Sequence, residues 1–355
     1  MTQYPVTNPS RLEQVLFDAG ILRQVPLEEI YDIKARSSIQ SIWDMDKHSM
    51  PMPDIRVPDQ WDNGNPHVRM RWEFFSYVLK DCGRVLDVGC GDGWPSTYIA
   101  RSIPEVVGID ISPGQIELAR KRAQLTGLTN IQLDAVDMRN LPYSDQSFDG
   151  ACFGGNALTY GSAQPRILSE IHRVLKPGGV FVFEQSPGDP ASPAGIRVSW
   201  FIDGGLPLAH FVASSGCLSR EILVFIEPGS KQGQSLSDAA TRMSGELSEE
   251  QRLICDAIRQ DIENGRLDFV VRAIYDDENH TPSAEEFPRM LAAAGFEDFL
   301  SWALPNAAEF ARELQDQGVL DRLRQEDLVP IMRALIRSAH PCERWAYEQC
   351  TCRKS

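Results

Sequence analysis

Short apolar runs alternate with longer amphipathic stretches along the middle of the chain. Arg84–Val88, Val106–Ile109, Ile131–Ala135, Phe148–Phe153 and Val180–Gln185 are short, β-rich and bounded by Gly, Pro, Asp or Asn, as buried strands are. Helical stretches separate them. His67–Leu79 leads into the first run, and Ser112-Pro113 supplies a cap and first-turn proline for a helix to Thr126. Pro165–Leu175 puts Ile167, Leu168, Ile171, Val174 and Leu175 on one stripe and stops at Lys176-Pro177-Gly178-Gly179. Strands and helices in this alternation predict a doubly wound, mainly parallel α/β sheet.

The flanking regions follow other patterns. Ser10–Ala19 and Leu27–Trp43 predict helices, and residues 44–66 a loop rich in Pro and Asp. Residues 187–280 contain three β-like runs, Arg197–Ile202, Glu221–Glu227 and Leu267–Tyr275, with one helix-like run, Glu249–Glu263. The stretch is too long for an ordinary connection and too patterned for disorder, so it predicts an inserted α+β cap with a small antiparallel sheet. Ser283–Phe296 reads as a capped helix, Phe299–Leu304 as a strand, 307–339 as a helical insertion broken near Gly318, and Glu343–Arg353 as a last strand. The expected divisions are 1–65, 66–186, 187–280 and 281–355.

The chemistry concentrates after the first strand. Gly89, Gly91 and Gly93 follow Val88 in the spacing G-x-G-x-G, which differs from the G-x-G-x-x-G of dinucleotide proteins. Glycines are needed where a turn takes positive φ or where backbone lies against a ligand. Asp87, inside the strand, is placed to reach an ammonium group over the turn. Asp110 ends the second strand, where a carboxylate can take both hydroxyls of a ribose.

Leu86-Asp87-Val88-Gly89-Cys90-Gly91-Asp92-Gly93 followed by Gly108-Ile109-Asp110 resembles the class I S-adenosylmethionine-dependent methyltransferases of the small-molecule branch. The resemblance runs from about Arg84 to Gln185 and resumes near Ser283–Phe296. It implies a Rossmann-like core with a seven-stranded sheet, its last strand antiparallel, and S-adenosyl-L-methionine as cofactor. It implies that residues 1–65 fold over the cofactor as a helical lid. The cofactor-binding set it implies is Asp87, Gly89, Cys90, Gly91, Asp110, Ile111, Asp137, Met138, Phe153 and Gly154, with Asp137 on the adenine amino group and Met138 against the ring.

Charge and composition narrow the acceptor. Lys plus Arg is 35 against 50 for Asp plus Glu, a formal charge of −15, and no basic run of five occurs. Nucleic-acid phosphates need clustered Lys and Arg, so a nucleic acid substrate is not expected. No apolar run is long enough to span a membrane, no signal peptide is read at the amino end, and the eight scattered cysteines read as reduced thiols, so a cytoplasmic protein is expected. The loop Gly154–Tyr160 lacks the Asn/Asp-Pro-Pro-Tyr/Phe wording of amino methyltransferases acting on nucleobases or glutamine. The paired Asp-Asn that holds magnesium in catechol-type enzymes is also missing, so metal-independent transfer is expected.

Methyl transfer from a sulfonium is a direct displacement, so catalysis rests on positioning and exclusion of water, and a general base is optional. Candidate bases are Tyr160, His210 and His280, with Glu184 and Asp276 behind them. Each has a plainer role open to it: packing for Tyr160, a core position for His210, a solvated turn for His280. The cap, with Trp200, Phe201 and Phe211, favours an enclosed, partly apolar small organic acceptor. Oxygen, nitrogen, carbon and sulfur acceptors all stay open, and a homodimer is the assembly to test. A relative that holds the same cofactor while running another small-molecule reaction, such as a pericyclic or decarboxylation step, would share this wording. A binding protein with a degenerate site would lack the complete set Asp87, Gly89, Gly91, Asp110 and Asp137.

Overall fold

The computed structural model describes residues 3–5, 9–36, 66–154, 163–203, 206–226, 257, 260–261, 264–266, 270–275, 279–303, 334, 337, 340–342 and 349–355. From the amino end come β1 (Gln3–Pro5), α1 (Pro9–Asp18), β2 (Leu22–Gln24), α2 (Leu27–Arg36) and α3 (Pro66–Val78). There follow β3 (Arg84–Val88), α4 (Trp94–Ile99), β4 (Glu105–Asp110), α5 (Pro113–Leu125), β5 (Ile131–Ala135), β6 (Phe148–Phe153), α6 (Gln164–Val174) and β7 (Leu175–Glu184). After them come β8 (Gly195–Asp203), β9 (Leu206–Ser215), β10 (Leu218–Ile226), β11 (Val270–Tyr275) and β12 (Asn279–His280). The chain then forms α7 (Glu286–Ala293), β13 (Phe296–Ala303), β14 (His340–Cys342) and β15 (Gln349–Lys354). No described helix is long and apolar enough to cross a membrane.

Two units divide the chain: Met52–Gly188 with Pro282–Ser355, and Met1–Pro51 with Asp189–Thr281. The first, the core unit, is the expected doubly wound fold. Its sheet runs β14-β13-β15-β7-β6-β3-β4-β5. β7, β6, β3, β4 and β5 are mutually parallel, while β15 lies antiparallel between β7 and β13. The seven expected strands are present, and the three-residue β14 adds an edge beside β13. The inner strands are buried on both faces, which is why Arg84–Val88 and Phe148–Phe153 read as nearly continuous apolar runs. Alternate residues feed two cores. Leu86, Val88, Phe153, Phe181 and Phe183 pack one face with α6 and α7, and Val85, Val106, Cys152 and Val182 pack the other with Trp72, Phe75 and Leu79 of α3.

Local signals explain most boundaries. Ser112 Oγ accepts the Gln115 N–H at 3.1 Å, and Pro113 occupies the first turn of α5. The fifth parallel strand begins at Leu175 rather than Val180. Leu175 already pairs with Phe148, and the register shifts before Val180 meets Gly150, so Lys176–Gly179 is an excursion within the strand and not a break before it.

The second unit is a seven-stranded sheet, ordered β1-β8-β9-β10-β11-β2, with β12 on β10. Segments read as a separate amino-terminal helical piece and an insertion therefore share one sheet: β1 pairs with β8 and β2 with β11. A strand absent from the sequence reading, β9, lies near its middle, between β8 and β10. Most of the loop expected over 44–66, and the helices expected over 249–263 and 307–339, fall outside the described residues apart from single helical positions at 257, 260, 261, 334 and 337.

Candidate active site

The core sheet changes direction between β3 and β6, and in such sheets ligands bind outside the carboxyl ends of the strands at that switch. The turn leaving β3 sits there. Its three glycines have positive φ but differ in surroundings. A Cβ on Gly89 would lie 2.7 Å from the Phe153 ring, and one on Gly93 2.7 Å from Ala119 Cβ, so both are packing positions. A Cβ on Gly91, at φ 53°, would meet nothing within 4 Å. Gly91 is therefore the open point of the turn.

The turn is fastened from two sides. The Cys90 N–H donates to Ile109 O at 2.8 Å, and the Gly91 N–H to Asp110 Oδ2 at 3.0 Å. Asp110 Oδ1 accepts the Ser112 N–H at 2.9 Å. Asp110 thus joins the turn to the start of α5. Cys90 contributes backbone only, since its thiol is buried and turned toward Gly91 O. Ile111 follows Asp110 half-buried.

Asp87 differs from its expected role. Its carboxyl is fully buried beneath the turn, so it props the loop from below and does not lie open to an ammonium group. Ser96 Oγ donates to its Oδ2 at 2.5 Å and Cys152 Sγ to its Oδ1 at 3.4 Å. Burial pushes Asp87 up to about 7, against the lowering effect of the Ser96 and Cys152 hydrogen bonds and with a further push from the Asp110 charge. Asp137 is half-exposed and held by Arg139 through both oxygens at 2.7–3.0 Å. Partial burial works against ionisation, but the Arg139 hydrogen bonds and charge hold Asp137 below the usual carboxylate range. Met138 packs partly buried against the core.

The other side of the switch is formed by β6, β7 and α3. Phe153 is buried under Gly89, and a Cβ on Gly154 would lie 3.0 Å from the Trp72 ring of α3. Arg71, beside Trp72, is ion-paired with Glu184 at the carboxyl end of β7.

A family model described as a methyltransferase domain matches residues 79–198. Methyltransferase GfsG of Streptomyces halstedii is 31% identical over 174 residues, 48% of this chain and 60% of that protein. Demethylmenaquinone methyltransferase of Symbiobacterium thermophilum is 39% identical over 102 residues, 28% of this chain and 40% of that protein. Phthiotriol/phenolphthiotriol dimycocerosates methyltransferase of Mycobacterium tuberculosis (strain ATCC 25618 / H37Rv) is 32% identical over 191 residues, 53% of this chain and 67% of that protein. The chain belongs to the class I S-adenosylmethionine-dependent methyltransferases.

The chain spans 60% of the length of the first of these relatives and 40% of the second. Solved structures similar to it include S-adenosylmethionine-bound CalS10, an amino pentose methyltransferase from Micromonospora echinaspora, at 20% identity and a TM-score of 0.38, covering 67% of this chain and 89% of that chain. The CcbJ methyltransferase from Streptomyces caelestis has 15% identity and a TM-score of 0.45, covering 76% of this chain and 94% of that chain. The cofactor of the methyltransferase is S-adenosyl-L-methionine. The turn fits such a group, since it offers an open Gly91 beside the carboxylate that ends β4.

The candidate bases read from the sequence are spread over the chain. Tyr160 and Asp276 lie outside the described residues. His210, in β9 of the second unit, is buried, and its Nε2 lies 2.8 Å from Glu221 Oε2 on β10. His280, in β12 of the same unit, pairs with Leu218. The sequence reading passed over Ser96, Cys152, Arg71 and Trp72. Ser96 stands three residues after Gly93, one turn into a helix, and nothing but that spacing could have pointed back to Asp87.

Proposed function

We propose that the protein transfers the methyl group of S-adenosylmethionine to a small organic acceptor by direct displacement, without a metal ion. The observation that carries this is the open Gly91 above a carboxylate already fixed by two backbone N–H groups. When bound, the cofactor supplies a methyl group activated by a sulfonium. The protein's own residues bind, orient and keep water out. Asp110 would hold the ribose hydroxyls, pre-set by Gly91 and Ser112 so that little order is lost on binding. Gly91 gives the space that a side chain would fill. Met138 and Ile111 offer apolar surface beside Asp110, and Asp137 would reach the adenine amino group by sharing its carboxylate with Arg139. The relatives' names place different acceptors in different members, phthiotriol and phenolphthiotriol dimycocerosates in one and demethylmenaquinone in another, so the shared core supports the reaction class and not the acceptor.

Release of S-adenosylhomocysteine across a panel of small acceptors tests the reaction. Calorimetry on Asp110→Ala tests the site. Two charge-assisted hydrogen bonds are worth on the order of 1.5–3 kcal/mol each, so cofactor affinity should fall roughly tenfold to a few hundredfold. Unchanged affinity in a folded variant would remove Asp110 from the site. Cofactor bound and recovered intact while an acceptor is consumed would favour a non-methylating relative.

A further inference from the structure

Several buried side-chain polar atoms of the core unit have no hydrogen-bonding partner among the described residues, and Trp72 Nε1, Arg71 Nε and Gln349 Oε1 are among them. Trp72 is 6% exposed and Gln349 4%. Native proteins leave few buried polar groups unpaired, because each has lost its water without replacement, so three in one neighbourhood call for an explanation. They do share a neighbourhood. Glu184, the last residue of β7, stands directly opposite Gln349 in β15, so the two side chains leave the sheet on the same face about 5 Å apart. Arg71 is ion-paired with that Glu184. The Arg71 guanidinium lies 5.4 Å from the centre of the Trp72 ring, which packs against Gly154 at the end of β6. The three atoms thus gather where α3 crosses the carboxyl ends of β6 and β7 and the amino end of β15.

Two of the atoms are N–H donors and one is an amide oxygen, which restricts what can satisfy them. A carboxylate would bring a second negative charge beside Glu184, whose charge Arg71 already balances. An ammonium offers nothing to the two donors, and a carbonyl gives no proton to Gln349. A hydroxyl does both. Resting on the methyltransferase reading, we propose that this cluster recognises a hydroxyl group of the acceptor. Trp72 Nε1–H and Arg71 Nε–H donate to its oxygen, its proton is donated to Gln349 Oε1, and Glu184 holds the Arg71 fork in place. The group is recognised here, and no proton leaves it. A site built on buried partners of this kind discriminates strongly against an analogue lacking the hydroxyl, since binding that analogue strands every partner at once.

The indole N–H signals of the full-length protein, labelled with nitrogen-15, read this directly, and Trp72→Phe assigns the Trp72 signal. Cyclohexanol and phenol are titrated against cyclohexane and benzene, with and without S-adenosylhomocysteine. The expected result is a saturable shift of the Trp72 signal with the alcohols, at least about tenfold tighter than with the matched hydrocarbons, and weakened about tenfold by Gln349→Met. Three outcomes overturn the proposal: equal response to alcohol and hydrocarbon, no response to either, or a shift already complete with S-adenosylmethionine alone, which would assign the atoms to the cofactor. Cofactor binding is measured separately by calorimetry. Its absence would count against the methyltransferase reading, and a missing alcohol response in protein that binds cofactor would count against the hydroxyl site alone.

Discussion

Asp87 is a carboxyl that the fold keeps out of water directly beneath the glycine turn, with Ser96 and Cys152 as its hydrogen-bond donors. Its folded value near 7 lies above the ordinary 3.8, so the folded state holds the proton more tightly than the unfolded chain. The resulting stability is complete below about pH 4 and is lost as pH rises through 7. At about 1.4 kcal/mol per unit, the loss reaches roughly 4 kcal/mol at most. Asp87→Asn cannot titrate. Denaturant unfolding from pH 5 to 8 should therefore show wild type losing stability relative to Asp87→Asn as pH rises, and a constant difference would refute the assignment. Asp137 is the contrasting case, a half-exposed acid whose partial burial is outweighed by the Arg139 hydrogen bonds and charge, so that it is held below the usual carboxylate range. The aspartates at positions 87 and 110 both stand out in the sequence. The burial of Asp87 does not, because it depends on Ser96 and Cys152 arriving from other elements.

Elements whose pattern repeats along their own length were the readable ones. β3, β4, β5 and β6 needed only an apolar run and a turn residue, and α6 only its stripe of Ile167, Leu168, Ile171 and Val174. β9 was missed because Pro207 demotes a strand and Ala209 and Ala213 carry little β preference, so its conformation comes from its two neighbours. β1 and β2 are three residues each, too short for any period, and exist because β8 and β11 offer edges. In α3, Trp72 carries no signal of its own in the sequence, and only its ring against Gly154 sets it apart. His210 has its role fixed at this scale too. It lies diagonally across from Glu221 on the same face of β9 and β10. His210→Ala, Glu221→Ala and the double variant should be non-additive in unfolding free energy by about 1 kcal/mol or more. Additive effects would show the contact to be incidental.

At the scale of the molecule, the second unit leaves the core after β7 and returns before α7, and the two crossings are stitched together. Gly188 bridges Ser283, and the Gly188 N–H donates to Pro282 O at 2.8 Å. A short link can therefore replace residues 189–281 without straining the core. Because β1 and β2 belong to the removed sheet, residues 1–51 have to go with it. The trimmed protein should keep S-adenosylmethionine affinity within about tenfold, since Gly91, Asp110 and Asp137 all lie outside the deleted parts. Methyl transfer to the native acceptor should vanish, and retention with unchanged specificity would show that the second unit does not select the acceptor. The same arrangement bears on how the chain reaches its fold. β15 has to pass between β7 and β13, pairing Gln349 with Glu184 across the whole inserted unit, whereas the glycine turn, Asp110 and α5 come from one continuous stretch. Local pairings form quickly and such distant ones slowly. The glycine turn can thus be complete while β7 still shows a bare edge, and self-association during refolding, rising with protein concentration, will compete for that edge until the last strand arrives.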